Sequence, residues 1–85
     1  MQASRFRHRV NSWRALRAFL DSAADIAEGD VLLGRHTPLG EVTAIMAHPP
    51  ETESVLSFEA WASAAQQAGR GIKVDLKDPA VVDTV

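Results

Sequence analysis

The sequence predicts an α/β fold of about three parallel strands with intervening helices, the N-terminal portion of a β/α barrel that this chain leaves incomplete. Three observations predict it. Strand-like and amphipathic helical runs alternate along the 85 residues, an order that calls for right-handed crossovers and a parallel sheet. The run Gly71-Ile-Lys-Val-Asp-Leu-Lys77 alternates apolar with charged residues, so one face can pack under helices while the other lines a barrel interior. The helices are too few to cover both faces of a parallel sheet. The chain therefore reads as the opening of something larger, one partial domain over residues 1–85.

Each element has its own signal. Arg5 to Val10 is short and β-compatible, and it stops at Asn11-Ser12. Either of those residues can cap a helix by accepting the first free backbone N–H groups. Trp13, Leu16, Phe19 and Leu20 recur at helical spacing, with Arg14, Arg17 and Asp21 on the other side, which predicts a helix from Ser12 to Ala23. Asp25 to Leu33 reads as a strand ending at Gly34. Arg35 to Glu41, holding Pro38 and Gly40, reads as a loop. Val42 to Ala47 is a second short apolar run, stopped by Pro49-Pro50. Ser57 caps a helix running to Ala68, with Leu56 and Trp61 placed as a hydrophobic staple. Gly69 closes that helix in the left-handed conformation. The alternating third strand follows, and Asp78-Pro79 opens a third helix over Ala80 to Val85.

Composition narrows the function classes. With 46% hydrophobic and 24% charged residues, the chain is globular in composition. No run nears the roughly 18–20 apolar residues that span a bilayer. MQASRFRHRV lacks the apolar core of a secretory signal, so with Met1 as the true start the chain reads as cytoplasmic. Zero Cys excludes disulfides, thiolate metal sites and Cys nucleophiles. Residues 1–20 carry a charge of +5 and residues 21–85 carry −7. The five N-terminal arginines lie in an apolar-periodic segment without aromatic interleaving, which favours a solvated helix face over nucleic-acid binding.

The chemistry concentrates in six residues. Glu28 and Asp30 stand two apart in the second strand, so both side chains leave one face. Neighbouring carboxylates repel unless a cation lies between them; an exposed strand face is the plain alternative. In the third strand, Lys73, Asp75 and Lys77 face away from Ile72, Val74 and Leu76. At the mouth of a barrel, Glu28, Asp30, Asp75 and Lys77 would converge. His8 sits near the end of the first strand, and His48 follows the apolar run Ile45-Met46-Ala47. Carboxylate oxygens suit hard Mg²⁺ or Ca²⁺, a Lys neutralises a phosphoryl oxygen, and a His pair transfers protons. His36, in the loop after Gly34, has no such setting.

The segments Ala27-Glu-Gly-Asp-Val-Leu-Leu33, Ile45-Met-Ala-His-Pro-Pro50 and Gly71-Ile-Lys-Val-Asp-Leu-Lys77 resemble the menorin family. His8 with Asn11-Ser12 fits that family's opening strand–helix turn. Menorin-like domains in turn resemble the glycerophosphodiester phosphodiesterases and the venom-type phospholipases D, all TIM-barrel proteins. The resemblance implies metal ligation by Glu28, Asp30 and Asp75, with Mg²⁺ or Ca²⁺ as the ion. It implies acid–base or nucleophilic work by His8 and His48, and phosphate stabilisation by Lys77. The pattern departs from those enzymes at Val10 and Pro49, where they carry Gly and Asp.

The implied function is metal-assisted cleavage of a phosphodiester or phospholipid-type small substrate by the complete domain, with these 85 residues inactive alone. The alternatives are a non-catalytic menorin-like interaction or adhesion module, or a structural remnant. The third strand would also be an open edge, a template for self-association.

Overall fold

One long strand organises the chain in the computed structural model, which describes residues 5–77. The element order is β1 (Phe6–Arg7), α1 (Trp13–Leu20), β2 (Ile26–His36), β3 (Glu41–Met46), β4 (Glu53–Ser54), α2 (Phe58–Gln67) and β5 (Gly71–Leu76). All four other strands pair with β2. Its first half lies between β1 and β5, both parallel to it, with Phe6 opposite Ile26 and Val74 opposite Gly29. Its second half lies between β3, antiparallel, and the short parallel β4. A strand has two edges, and overlapping partners must take opposite ones. So β1 and β3 share one edge of β2, and β4 and β5 share the other.

The expected opening of a β/α barrel, about three parallel strands with intervening helices, is not what forms. The sheet has five strands and is mixed. The residues expected as a loop explain the difference. Arg35 and His36 lengthen β2, and only Thr37–Gly40 turn, closed by Gly40 N–H donating to the His36 carbonyl at 2.7 Å. Gly40 has φ +72, which glycine adopts without a Cβ penalty. So short a connection can join only antiparallel strands, because a parallel pair needs a crossover of about a dozen residues or more. The run 42–47 therefore folds straight back on β2, from His36 opposite Glu41 to Val31 opposite Met46. Gly34 admits β4 beside the hairpin: a Cβ there would lie 2.5 Å from the Thr52 carbonyl oxygen.

The helices follow their sequence signals and end sooner. Ser12 caps α1 by accepting from Ala15 N–H at 3.1 Å, and Leu16 and Phe19 bury its inner face. The helix stops at Leu20 because the Ser22 hydroxyl takes the Phe19 carbonyl at 2.7 Å, a local side-chain bond that competes with helix continuation. Ser57 caps α2 by accepting from Ala60 N–H. Leu56 and Trp61, both fully buried, form the expected staple, and Gly69 has φ +70. The third helix, Ala80 to Val85, lies outside the described residues. Among those described, no helix is long and apolar enough to cross a membrane.

Trp61, Phe19, Leu16, Leu56 and Val31 form the centre of the core between the helices and one face of the sheet. Arg70, just after α2, locks α1 to this layer. Its guanidinium donates to the carbonyls of Phe19, Leu20 and Ala24 at 2.9–3.1 Å and stacks 5.1 Å over the Phe19 ring. The cation thereby satisfies the carbonyl end of α1. Arg70→Met keeps the stem and takes the guanidinium donors from the Leu20 and Ala24 carbonyls, while Ser22 still serves that of Phe19, at an expected cost of about 2 kcal/mol. A fall in the urea midpoint without a change in slope would show it.

Candidate functional site

The core settles which way β2 faces. Ala27 and Val31 pack with Leu16, Phe19 and Trp61, so the two-residue alternation sends Glu28 and Asp30 to the opposite face. In the parallel register Lys73 stands beside Glu28 and Asp75 beside Asp30, on that same face. The three acids therefore share one face, as the alternation predicts. They do not sit where a barrel would put them: Glu28 and Asp30 are midway along β2, not at its C-terminal end.

That midpoint is where the neighbouring strands finish. β1 ends at Arg7 and hands His8 to the site, with Val10 N–H donating to the Glu28 carbonyl at 2.8 Å. β5 ends at Leu76, and Lys77 N–H donates to the Val31 carbonyl at 2.9 Å. β3 ends at Met46, and Ala47 N–H donates to the Asp30 carbonyl at 3.0 Å. Strand endings thus bring the backbones of all six candidate residues to one level of the sheet.

Side-chain contacts link five of the six. His8 Nδ1 lies 3.5 Å from Glu28 Oε1; the imidazole is 73% exposed and the carboxylate 16%. The same Oε1 accepts from Arg9 N–H at 3.1 Å. Arg9 has φ 55, an uncommon conformation for a residue with a Cβ, and it turns the chain back onto Glu28. Asp30 is almost fully buried. Lys77 Nζ lies 2.7 Å from Asp75 Oδ2 and 3.6 Å from Asp30 Oδ1. The hydrogen bond that Lys77 donates to Asp75 is the main cause holding its ammonium above the ordinary lysine value, opposed by burial and helped by the charges of Asp75 and Asp30. His48 stands apart: its Nδ1 is 2.7 Å from the Pro49 carbonyl oxygen, and its N–H donates to Glu51 Oε1.

Glu28, Asp30 and Asp75, the acids expected to hold Mg²⁺ or Ca²⁺, do not fit that ion as they are placed. Among the described residues, no three carboxylate or imidazole groups converge as a metal site requires. The Lys77 ammonium lies between Asp30 and Asp75 instead, supplying the positive charge that two adjacent carboxylates need.

Asn11, which the sequence offers as a helix cap and as part of the opening strand–helix turn, has a role at the site that the sequence does not show. Ser12 does the capping. Asn11 grips Asp30 from both sides, with Nδ2 donating to Asp30 Oδ2 at 2.9 Å and Oδ1 accepting from Asp30 N–H at 2.8 Å. No local pattern announces a contact across 19 positions. Asn11→Ala leaves a buried carboxylate and a backbone N–H short of partners, so it should cost about 1–3 kcal/mol. Asn11→Asp should be at least as harmful, because it sets a second carboxylate against Asp30. Chemical denaturation of both variants decides it; an unchanged midpoint for Asn11→Ala would deny Asn11 its role.

A Menorin N-terminal domain family model matches residues 2–85. The chain is 36% identical over 80 residues to Protein FAM151B from Homo sapiens, covering 89% of this chain and 27% of the human protein. It thus spans about a quarter of that relative's length. No solved structure matches. A match over nearly every residue, joined to a relative at this identity, places the chain in the menorin family as an N-terminal domain.

Proposed function

We propose that this domain contributes an anion-binding, acid–base site to a longer menorin-family protein that cleaves phosphodiesters. The observation that carries the reading is the Lys77 ammonium held between Asp30 and Asp75, on the same face as the His8–Glu28 pair. The order His8, Glu28-x-Asp30, His48, Asp75-x-Lys77 also resembles the pattern of the glycerophosphodiester phosphodiesterases. In this reading Lys77 neutralises a phosphoryl oxygen. His8, oriented by Glu28, removes a proton from the attacking hydroxyl or water, and His48 returns one to the leaving oxygen. Asn11 and Asp30 position Lys77.

No step of this chemistry runs through Mg²⁺ or Ca²⁺. The test is turnover of glycerophosphodiesters and lysophospholipids by a longer protein carrying this domain, with and without chelator. Hydrolysis that survives chelation is expected. Loss with chelator and recovery with Mg²⁺ would return the three acids to metal binding and overturn the scheme. Failure to cleave either substrate class would leave the interaction-module alternative in its place.

A further inference from the structure

We infer that Phe6 is a positioning residue for His8: its ring stacks on the imidazole and keeps Nδ1 on Glu28, so that Nε2 is left for the proton. The use made of that nitrogen rests on the reading proposed above. Glu28 by itself is a weak clamp. Its Oε1 lies 3.5 Å from His8 Nδ1, longer than an ordinary N–H···O bond, and the same oxygen already accepts from Arg9 N–H at 3.1 Å. The imidazole is 73% exposed. A side chain so open, held through one long contact, needs a second constraint to keep a single orientation.

The strand supplies it. Phe6 and His8 stand two residues apart, so in extended chain both side chains leave one face about 6.6 Å from each other. Phe6 is opposite Ile26 in the parallel register, which puts the pair on the face that carries Glu28 and Asp30. The two rings lie nearly parallel, with centroids 6.0 Å apart and planes 12° from each other, an offset stack of the kind aromatic pairs favour. Phe6 takes no part in the hydrophobic core. It is held from β5 instead: Lys73 Nζ lies 5.7 Å from its ring centroid, within the range of cation–π attraction. The register sets Lys73 beside Glu28, yet its ammonium goes to the Phe6 ring. Glu28 is thereby kept for His8. Stack and carboxylate divide the work: Phe6 fixes the plane of the imidazole, and Glu28 selects which nitrogen turns inward.

Two measurements test this, the first without catalysis. In proton NMR of the 85-residue chain, the His8 β-proton couplings should report one χ1 rotamer, and the imidazole protons should carry the ring-current shift of a stacked partner. Phe6→Tyr should keep both signatures, and Phe6→Leu should average the couplings. Three χ1 wells and a two-fold χ2 give a released imidazole about six orientations. In a longer protein carrying this domain, Phe6→Leu should therefore lower kcat for phosphodiester turnover about three- to sixfold with KM unchanged, and Phe6→Tyr should hold the parent rate. On a His8→Ala background Phe6→Leu should cost nothing more, because it acts only through the imidazole. Averaged couplings in the parent, unchanged couplings in Phe6→Leu, or the full further loss on the His8→Ala background would overturn the proposal. A parent without turnover would overturn the phosphodiester reading instead, and the couplings would still decide whether Phe6 holds His8.

Discussion

Trp61→Ala should cost about 3–5 kcal/mol, the largest effect of any single substitution in this chain. Trp61 is fully buried at the centre of the core. It staples the start of α2 through Leu56 and lies close over Gly29, where an added Cβ would sit 3.2 Å from its ring. A domain of this size is held by roughly 0.05–0.15 kcal/mol per residue, so such a loss removes from about a quarter to all of its stability. Far-UV circular dichroism and urea titration will read it, with Trp13 left as a fluorescent reporter. Trp61→Phe separates volume from hydrogen bonding. The indole Nε1 is buried without a partner among the described residues, and Phe removes that donor along with part of the ring. It should therefore cost clearly less than Ala. Equal losses for the two variants would mean that packing over Gly29 is not what Trp61 supplies.

His8→Ala in a longer protein carrying this domain should lower phosphodiester turnover by roughly 10²–10⁴-fold, the usual worth of a positioned acid or base. The fold should survive, because the His8 side chain is largely exposed and its contacts are with Glu28 and the exposed Phe6 ring, outside the core. His48→Ala should fall in the same range if it is the second proton carrier. Both losses should appear in kcat at saturating substrate. Lys77 acts on binding as well, so its loss should raise KM besides. A thermal melt on each variant separates chemistry from stability. Turnover at the parent rate from both histidine variants would end the acid–base reading and leave the interaction module as the better account.

How much of the site was legible depends on the range over which each residue acts. Two-residue alternation alone puts Glu28 with Asp30, and Lys73 with Asp75; the register of β5 on β2 brings the two sets to one face. The grip of Asn11 on Asp30 and the turn of Arg9 onto Glu28 come from folding distant segments together. So does the lysine between two acids: the residue types suggested a metal, and only their positions show an ammonium there.

For the fold the division is similar. Local chemistry by itself determined the caps at Ser12 and Ser57, the Leu56–Trp61 staple, the left-handed Gly69 and the apolar faces of both helices, because each of these is settled within one or two turns of chain. Strand direction was decided elsewhere. Residues 42–47 carry no mark of parallel or antiparallel pairing. Their orientation follows from how few residues the turn before them uses, and that number depends on Arg35 and His36 finding partners in β4 as well as β3. Pairing energy is shared between segments that lie far apart in sequence, so only the assembled sheet could choose a mixed architecture over a parallel one.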